Sequence, residues 1–283
     1  MPILFPLATA VPPALVCPAV DTLGEAIRGV VQKNRASMVT VSLVLKYNMG
    51  GQSQDSELET EGVVLTSEGL VAVINAAIDP AAMMGGDTDS AKFSVKVVSA
   101  RLLLEDGQEI PAKVVLRDPD KGIAFLRPIA PVGKPLAFVD LKKPPVAQIG
   151  DSLLVLGRLG KGANRAPRVV TPRIIGVIEK PRTLYVAETF NGLLALGDVV
   201  FNEKGEALGI VTLRGKMETT TRTTMDMSRG MMPVVVPGDD IWEAASQAPS
   251  VKDAKDDTPV GKTPAKPTTP PKKPTTPPKK SGK

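Results

Sequence analysis

Short runs of apolar and β-branched residues dominate this 283-residue chain, and Gly, Asp, Asn and Pro separate them. Runs of this kind between turn residues are typical of β-strands, whereas only segments 21–34 and 239–247 place apolar residues at helical spacing. About a dozen short strands joined by turns predict an all-β fold of barrels or sandwiches, with one short helix at each end. The strand-like runs are 38–47, 62–66, 70–75, 93–104, 110–117, 123–127, 152–156, 169–178, 184–188, 199–202, 207–213 and 232–236.

The core of such a fold is built from small branched side chains, because 42% of the residues are hydrophobic but only 3% are aromatic. A body of roughly 220 residues buries enough surface to hold a core without covalent staples. Cys17 is the only cysteine, so an internal disulfide and a cysteine-based metal cluster are excluded. The acidic residues fall in turns and helix caps without a metal-ligand spacing, so we expect no metal and no cofactor.

The chain contains no histidine. Imidazole is the usual general base for serine and cysteine nucleophiles, and it is also the commonest zinc ligand. A Ser-His-Asp or Cys-His hydrolase is therefore excluded.

Residues 1–20 carry no charged side chain and end in small residues at a spacing that a signal peptidase accepts. This pattern favours an exported, periplasmic or envelope-associated protein. The segment also lacks a basic start and contains several prolines, so an extended apolar arm on a cytoplasmic protein is the alternative. No apolar run approaches the ~20 residues of a membrane span, so we do not expect an integral membrane protein.

The basic character of the chain comes from its C-terminal tail. From Val251 onward there are nine Lys and three Asp, a net charge of +6, whereas the whole chain has +5. The tail repeats KPTTPPK at 266–272 and 273–279, and proline at this density favours an extended conformation that cannot pack a core. The tail is interpreted as an arm that binds an anionic polymer or surface, without sequence-specific nucleic-acid recognition, or as a solubilising linker. The candidate polyanion-binding residues are Lys266, Lys272, Lys273, Lys279 and Lys280.

Four segments, 61–78, 104–127, 148–178 and 191–212, together resemble the trypsin-like serine protease domain of the HtrA/Deg family. The resemblance covers about residues 22–247 and includes no PDZ domain. It implies a double six-stranded β-barrel over 21–248, with barrel 1 at about 35–140 and barrel 2 at about 148–237. A disordered tail would then span 249–283.

The resemblance also places the catalytic positions of the family on this sequence. Ala76 stands where the family has its histidine, Gly122 where it has the aspartate and Leu196 where it has the serine. Leu194 replaces the glycine of the oxyanion hole, and Asp120, close to the second position, fits better as a turn residue after Pro119. The resemblance therefore implies a pseudoprotease, because all three triad positions are replaced.

The sequence predicts a protein- or peptide-binding module rather than an enzyme. One alternative is a structural or assembly module whose cleft is plugged by leucines. A second alternative is a serine-type endopeptidase that uses unrecognised residues. The candidate peptide-binding residues are Leu193, Leu194, Leu196, Met217, Met225 and Met227.

Overall fold

The computed structural model describes residues 21–80, 93–188, 196–215 and 231–254. These residues form thirteen β-strands and three α-helices, so the predicted all-β fold class is confirmed. The first helix, α1 (Thr22–Asn34), begins as predicted, because the Asp21 carboxylate caps it by accepting from the Gly24 N–H at 2.9 Å. No helix among the described residues combines the length and apolar character that a membrane-spanning helix needs.

The first β unit is a closed barrel of six strands in the order β1-β2-β3-β6-β5-β4. Its longest strands, β1 and β2, form a hairpin whose turn is made by Gly50 and Gly51, both with positive φ. Two glycines suit a tight hairpin turn because they adopt positive φ without steric cost. A short helix, α2 (Asn75–Ile78), follows β3. The strands are β1 (Met38–Met49), β2 (Gln52–Val64), β3 (Val71–Ile74), β4 (Phe93–Leu103), β5 (Glu109–Asp118) and β6 (Ile123–Pro128).

The second β unit is a curled seven-stranded sheet in the order β8-β7-β11-β12-β13-β10-β9. Among the described residues its edge strands β8 and β9 do not pair, so the unit is a half-barrel rather than a closed barrel of six strands. The last helix, α3 (Gly238–Ser246), follows it directly. The strands are β7 (Leu153–Arg158), β8 (Pro167–Val170), β9 (Ile174–Ile178), β10 (Leu184–Ala187), β11 (Val199–Asn202), β12 (Ala207–Gly215) and β13 (Met231–Pro237).

Three apolar clusters form the core. One fills the barrel, one lies within the curled sheet, and the third lies between them. The third cluster includes Phe125 of the barrel, Phe201 of the sheet and Ile241 of α3, all of them buried. Fully burying a side chain of this size contributes about 1.5–3 kcal/mol, so the two β units are held together by a core of their own.

Polar contacts reinforce the same junction. The guanidinium of Arg158 on β7 donates to the backbone carbonyls of Met38 at 2.9 Å and Arg35 at 2.8 Å. It also donates to the carbonyl of Arg165 in its own unit at 3.0 Å. One arginine therefore ties the start of the barrel to the second sheet.

Residues 249–254, which the sequence assigns to the tail, lie against the first barrel. Arg127 on β6 donates to the carbonyls of Ala248 at 3.2 Å and Pro249 at 3.0 Å. The Lys113 amine on β5 donates to the carbonyl of Ala254 at 3.2 Å, and Ala254 is buried. The packed part of the chain therefore continues to Ala254.

Candidate functional site

The resemblance aligns three positions, Ala76, Gly122 and Leu196, with the catalytic triad. The fold brings them to the junction of the two β units. The N–H of Asn75, next to Ala76, donates to the carbonyl of Gly122 at 2.8 Å. The N–H of Gly197, next to Leu196, donates to the carbonyl of Val211 at 2.8 Å. A Cβ added at Gly197 would lie 3.7 Å from the Ile74 side chain at the end of β3. Positions that are 120 residues apart in sequence therefore lie in one region.

None of these three residues has a side chain that can transfer a proton or act as a nucleophile. Ala76 carries only a methyl group, and Gly122 has no side chain. Leu196 is half-buried and packs against both the barrel core and the core of the curled sheet. At this position, an apolar side chain therefore fills the space between the two units.

Gly122 is required by the turn in which it lies. Its φ is +69°, and its N–H donates to the carbonyl of Pro119 at 3.3 Å to close the turn after β5. A Cβ at this position would lie 3.2 Å from the carbonyl oxygen of Leu213 on β12. A side chain here is strained both by the left-handed backbone and by this close neighbour. The turn role predicted for Asp120 agrees with the structure, where Asp120 is exposed in the same turn.

A cavity of about 270 Å³ lies beside Gly122. Buried apolar side chains form part of its wall. Three cationic side chains from separate parts of the chain and one acidic side chain, that of Asp120, also line it. Lys121 is engaged, because its amine lies 3.5 Å from carboxylate oxygens of Asp118 and of Glu243. Arg214 forms no ion pair with a described residue. The cationic residues are Lys121, Arg182 and Arg214, and the apolar residues include Leu184, Val234 and Val236.

No pattern in the sequence predicts this cavity. Its cations come from the turn before β6, from the segment before β10 and from β12. Each is an ordinary basic residue in a turn or at a strand end, and only the pairing of distant strands brings them together. No local spacing in the sequence indicates such a site.

A second polar cluster lies buried at the same junction. Asp198 is fully buried, and its Oδ2 lies 2.5 Å from Nη2 of Arg168 on β8. The same nitrogen lies 3.8 Å from Oε1 of Glu61 on β2, and that oxygen also accepts from the Arg158 N–H at 3.1 Å. Two carboxyl groups and one guanidinium therefore join the barrel to the curled sheet.

Burial keeps Asp198 protonated at neutral pH. Oδ1 of Asp198 and Oε2 of Glu61 are buried and have no donor in the described part of the chain when both groups are ionised. The pKa of Asp198 is raised to about 10, first by desolvation and then by the hydrogen bond to Glu61 and its negative charge. The charge of Arg168 acts in the opposite direction. A proton on Asp198 supplies a donor inside the cluster and avoids two buried negative charges beside one positive charge.

The space around this cluster is filled. A Cβ added at Gly157 on β7 would lie 2.0 Å from Oδ1 of Asp198, so the carboxyl rests directly on the glycine. The one sequence signal for the cluster is an ionisable residue placed directly before the apolar run Val199–Phe201. The positions of Glu61 and Arg168 carried no such signal.

The remaining predicted site residues lie outside the described residues. These are Leu193, Leu194, Met217, Met225 and Met227 among the peptide-binding candidates, and Lys266, Lys272, Lys273, Lys279 and Lys280 in the tail. Within the described ranges, no group of three or more Cys, Asp or Glu side chains is arranged to hold a metal ion. In comparisons with known proteins, no protein-family model matches the chain and no curated protein matches it.

Proposed function

We propose that this chain is a catalytically inactive member of the trypsin-like, HtrA/Deg type that binds segments of other proteins beside its lost active site. The observation that carries the proposal is the cavity with three cationic side chains beside Gly122, which is one of the positions that the resemblance aligns with the triad. The triad normally supplies a rate factor of about 10⁶, which corresponds to ~8 kcal/mol, and Ala76, Gly122 and Leu196 supply none of it. A fold does not determine function, so the ligand has to be inferred from the chemistry of a site. We infer it from the lining of the cavity beside Gly122.

The chemistry of the cavity favours an acidic segment with an apolar side chain. Arg182 and Arg214 supply positive charge, while the apolar wall of Leu184, Val234 and Val236 suits a hydrophobic side chain. A guanidinium binds a carboxylate through paired hydrogen bonds, which gives both orientation and selectivity for charge. The ligand class is therefore an extended peptide in which Glu or Asp alternates with a large apolar residue.

We expect a fluorescein-labelled peptide of alternating Glu and Leu to bind, and the matched peptide of alternating Lys and Leu to bind much more weakly. Replacing Arg214 by alanine should weaken binding of the acidic peptide by at least about five-fold, since a charge-assisted contact contributes more than 1 kcal/mol. Fluorescence anisotropy at low and at physiological salt measures both effects.

Arg28→Ala is the matched control, because Arg28 is exposed on α1 and does not line the cavity. Equal binding of both peptides, or an Arg214→Ala variant that binds as the unchanged protein does, would contradict the proposed cavity. Such a result favours the alternative of a structural or assembly module. That alternative has one specific support, which is that Leu196 packs into both cores and fills the region where a cleft would lie.

The unchanged protein is expected not to cleave fluorescein-labelled casein during a long incubation, because no described residue at the junction combines a nucleophile with a base. A Leu196→Ala variant should be equally inactive, since opening the region restores no catalytic group. Release of soluble fluorescence measures the reaction, with a dilute trypsin standard to set the detection limit. Cleavage that survives stringent purification would revive the second alternative, an endopeptidase with unrecognised residues.

The tail adds a second contact to this proposal. Its lysines outnumber its acids by nine to three, so it suits an anionic polymer or surface on the outside of a cell or within an envelope. Such binding falls steeply with salt, because it depends on the release of counterions.

A further inference from the structure

Strands β4 and β5 are hydrogen-bonded to each other over only part of their length. The ladder pairs Ala100–Leu103 with Glu109–Ala112, and both strands have an irregular register nearby. Before Ala100, β4 follows β1, and after Ala112, β5 follows β6, so the two strands diverge. A cavity of about 540 Å³ opens between them on the outside of the barrel.

The lining of this cavity combines exposed apolar and cationic side chains. Val98 is 52% exposed and Ile129 is 59% exposed, although both are large apolar residues. Lys96, Arg101 and Lys113 also line the cavity, and the Glu109 carboxylate lies 2.9 Å from Arg101. Adjacent exposed apolar side chains with a charged rim are typical of a surface that another segment covers.

The described chain ends at the rim of this cavity. Residues 248–254 cross the barrel from β6 to β5, held by Arg127 and then by Lys113. Lys113 both lines the cavity and donates to the carbonyl of Ala254. The residues that follow Ala254 therefore start within reach of the cavity.

The sequence after Ala254 complements the cationic and apolar side chains that line the cavity. It reads Lys-Asp-Asp-Thr-Pro-Val at 255–260 and contains Asp256 and Asp257, the last acidic residues of the chain. Val260 is the last apolar residue larger than alanine, apart from the prolines. Six extended residues span at most about 20 Å, and the stretch of β4 that lines the cavity, Lys96–Arg101, is also six residues long.

We propose that residues 255–260 of the same chain bind in this cavity in an extended conformation beside β4. Asp256 and Asp257 face Lys96 and Lys113, and the Val260 side chain contacts Val98 and Ile129. An extended segment along the edge of a sheet gains backbone hydrogen bonds there, and its alternate side chains give selectivity. The base of the basic arm is thereby fixed to the first barrel.

Disulfide trapping in the full-length chain tests this arrangement, with Cys17→Ser in every variant. The pair Ile129→Cys and Val260→Cys is expected to form an intrachain disulfide at least about ten-fold faster than a control pair, because docking raises the effective concentration of the two thiols. The control pair is Val146→Cys and Val260→Cys, since Val146 is 87% exposed and does not line the cavity. Non-reducing peptide mapping measures both rates.

Two further variants test the role of charge. Asp256→Asn with Asp257→Asn should slow trapping at Ile129→Cys by at least about five-fold, because the attraction to Lys96 and Lys113 is lost. Thr268→Lys with Thr269→Lys makes the same change in net charge outside the segment and should leave the rate unchanged.

Equal trapping rates at Ile129→Cys and Val146→Cys would overturn the proposal. Disulfide-linked dimers in place of intrachain bonds would also overturn it, because the tail of a second copy would then be the occupant. A trapping rate that the two Asp→Asn changes leave unaltered would show that Lys96 and Lys113 do not attract the segment, which would also contradict the proposal. If Ile129→Cys fails to fold, Val98→Cys replaces it, because Val98 lies at the same cavity and is also exposed.

Discussion

Replacing Asp198 by asparagine is expected to raise the stability of this protein at neutral and alkaline pH and to flatten the dependence of stability on pH. The pKa of Asp198 is raised from 3.8 to about 10 in the folded chain. Above about pH 4 the folded chain therefore holds a proton that the unfolded chain releases, so the free energy of unfolding falls as the pH rises toward 10. The slope approaches ~1.4 kcal/mol for each pH unit, and an asparagine carries no proton to lose.

The experiment compares thermal unfolding of the two proteins at about pH 6 and at about pH 8. Between these two pH values the free energy of unfolding is expected to fall more for the unchanged protein than for Asp198→Asn. A difference of ~2 kcal/mol corresponds to a shift in Tm of about 4–8 °C for a domain of this size. The absence of histidine makes this test unusually clean, because no other side chain has an unperturbed pKa between about 5 and 8. Asp55→Asn, which removes an exposed carboxylate on β2, is the matched control. Parallel pH curves for Asp198→Asn and the unchanged protein would show that the pKa of Asp198 is not raised in the folded chain.

Replacing Gly157 by alanine is expected to destabilise the protein by about 3 kcal/mol or more, because its Cβ would displace a buried carboxyl from its arginine partner. The added atom would lie 2.0 Å from Oδ1 of Asp198 and 2.4 Å from its Cγ, so the carboxyl has to move. Urea unfolding of the single and double variants measures the effect as a change in the free energy of unfolding.

The double variant Gly157→Ala with Asp198→Ala identifies the cause. If the clash with Asp198 is responsible, the two changes together should cost at least ~1 kcal/mol less than the sum of the single changes. Gly160→Ala, in the loop that follows β7, is the matched control, because no atom lies within 4 Å of a Cβ at that position. Additive effects would mean that alanine at 157 disturbs β7 in another way.

The pattern of the sequence was sufficient to predict the class of the fold and its two terminal helices. Strand runs and turn residues located five of the six barrel strands, but β2 begins at Gln52, ten residues before the predicted run 62–66. The helical spacing of apolar residues located α1. The turn assignment of Asp120 also came from local chemistry, because a Pro-Asp pair before a glycine with positive φ is a local signal. These features depend on residues within a few positions of each other.

The features that the sequence did not predict all depend on long-range contacts. Glu61 lies on β2, Arg168 lies on β8 and Asp198 directly precedes β11. Nothing in their sequence neighbourhoods marks them as partners. The cations around the cavity beside Gly122 are separated by 93 residues between Lys121 and Arg214. The docking of residues 248–254 depends on carbonyl groups, which every residue has, so no sequence pattern identifies it.

The core shared by the two β units has a consequence for how the protein is made. The first barrel is complete once residue 128 has been synthesised, but Met38, Val63 and Phe125 pack in the cluster that also needs β11, β12 and α3. The emerging chain therefore keeps an apolar face of the barrel uncovered until more than a hundred further residues have left the ribosome. An intermediate of this kind is prone to aggregation, and a factor that shields the face of the nascent barrel would decide how much protein reaches the folded state.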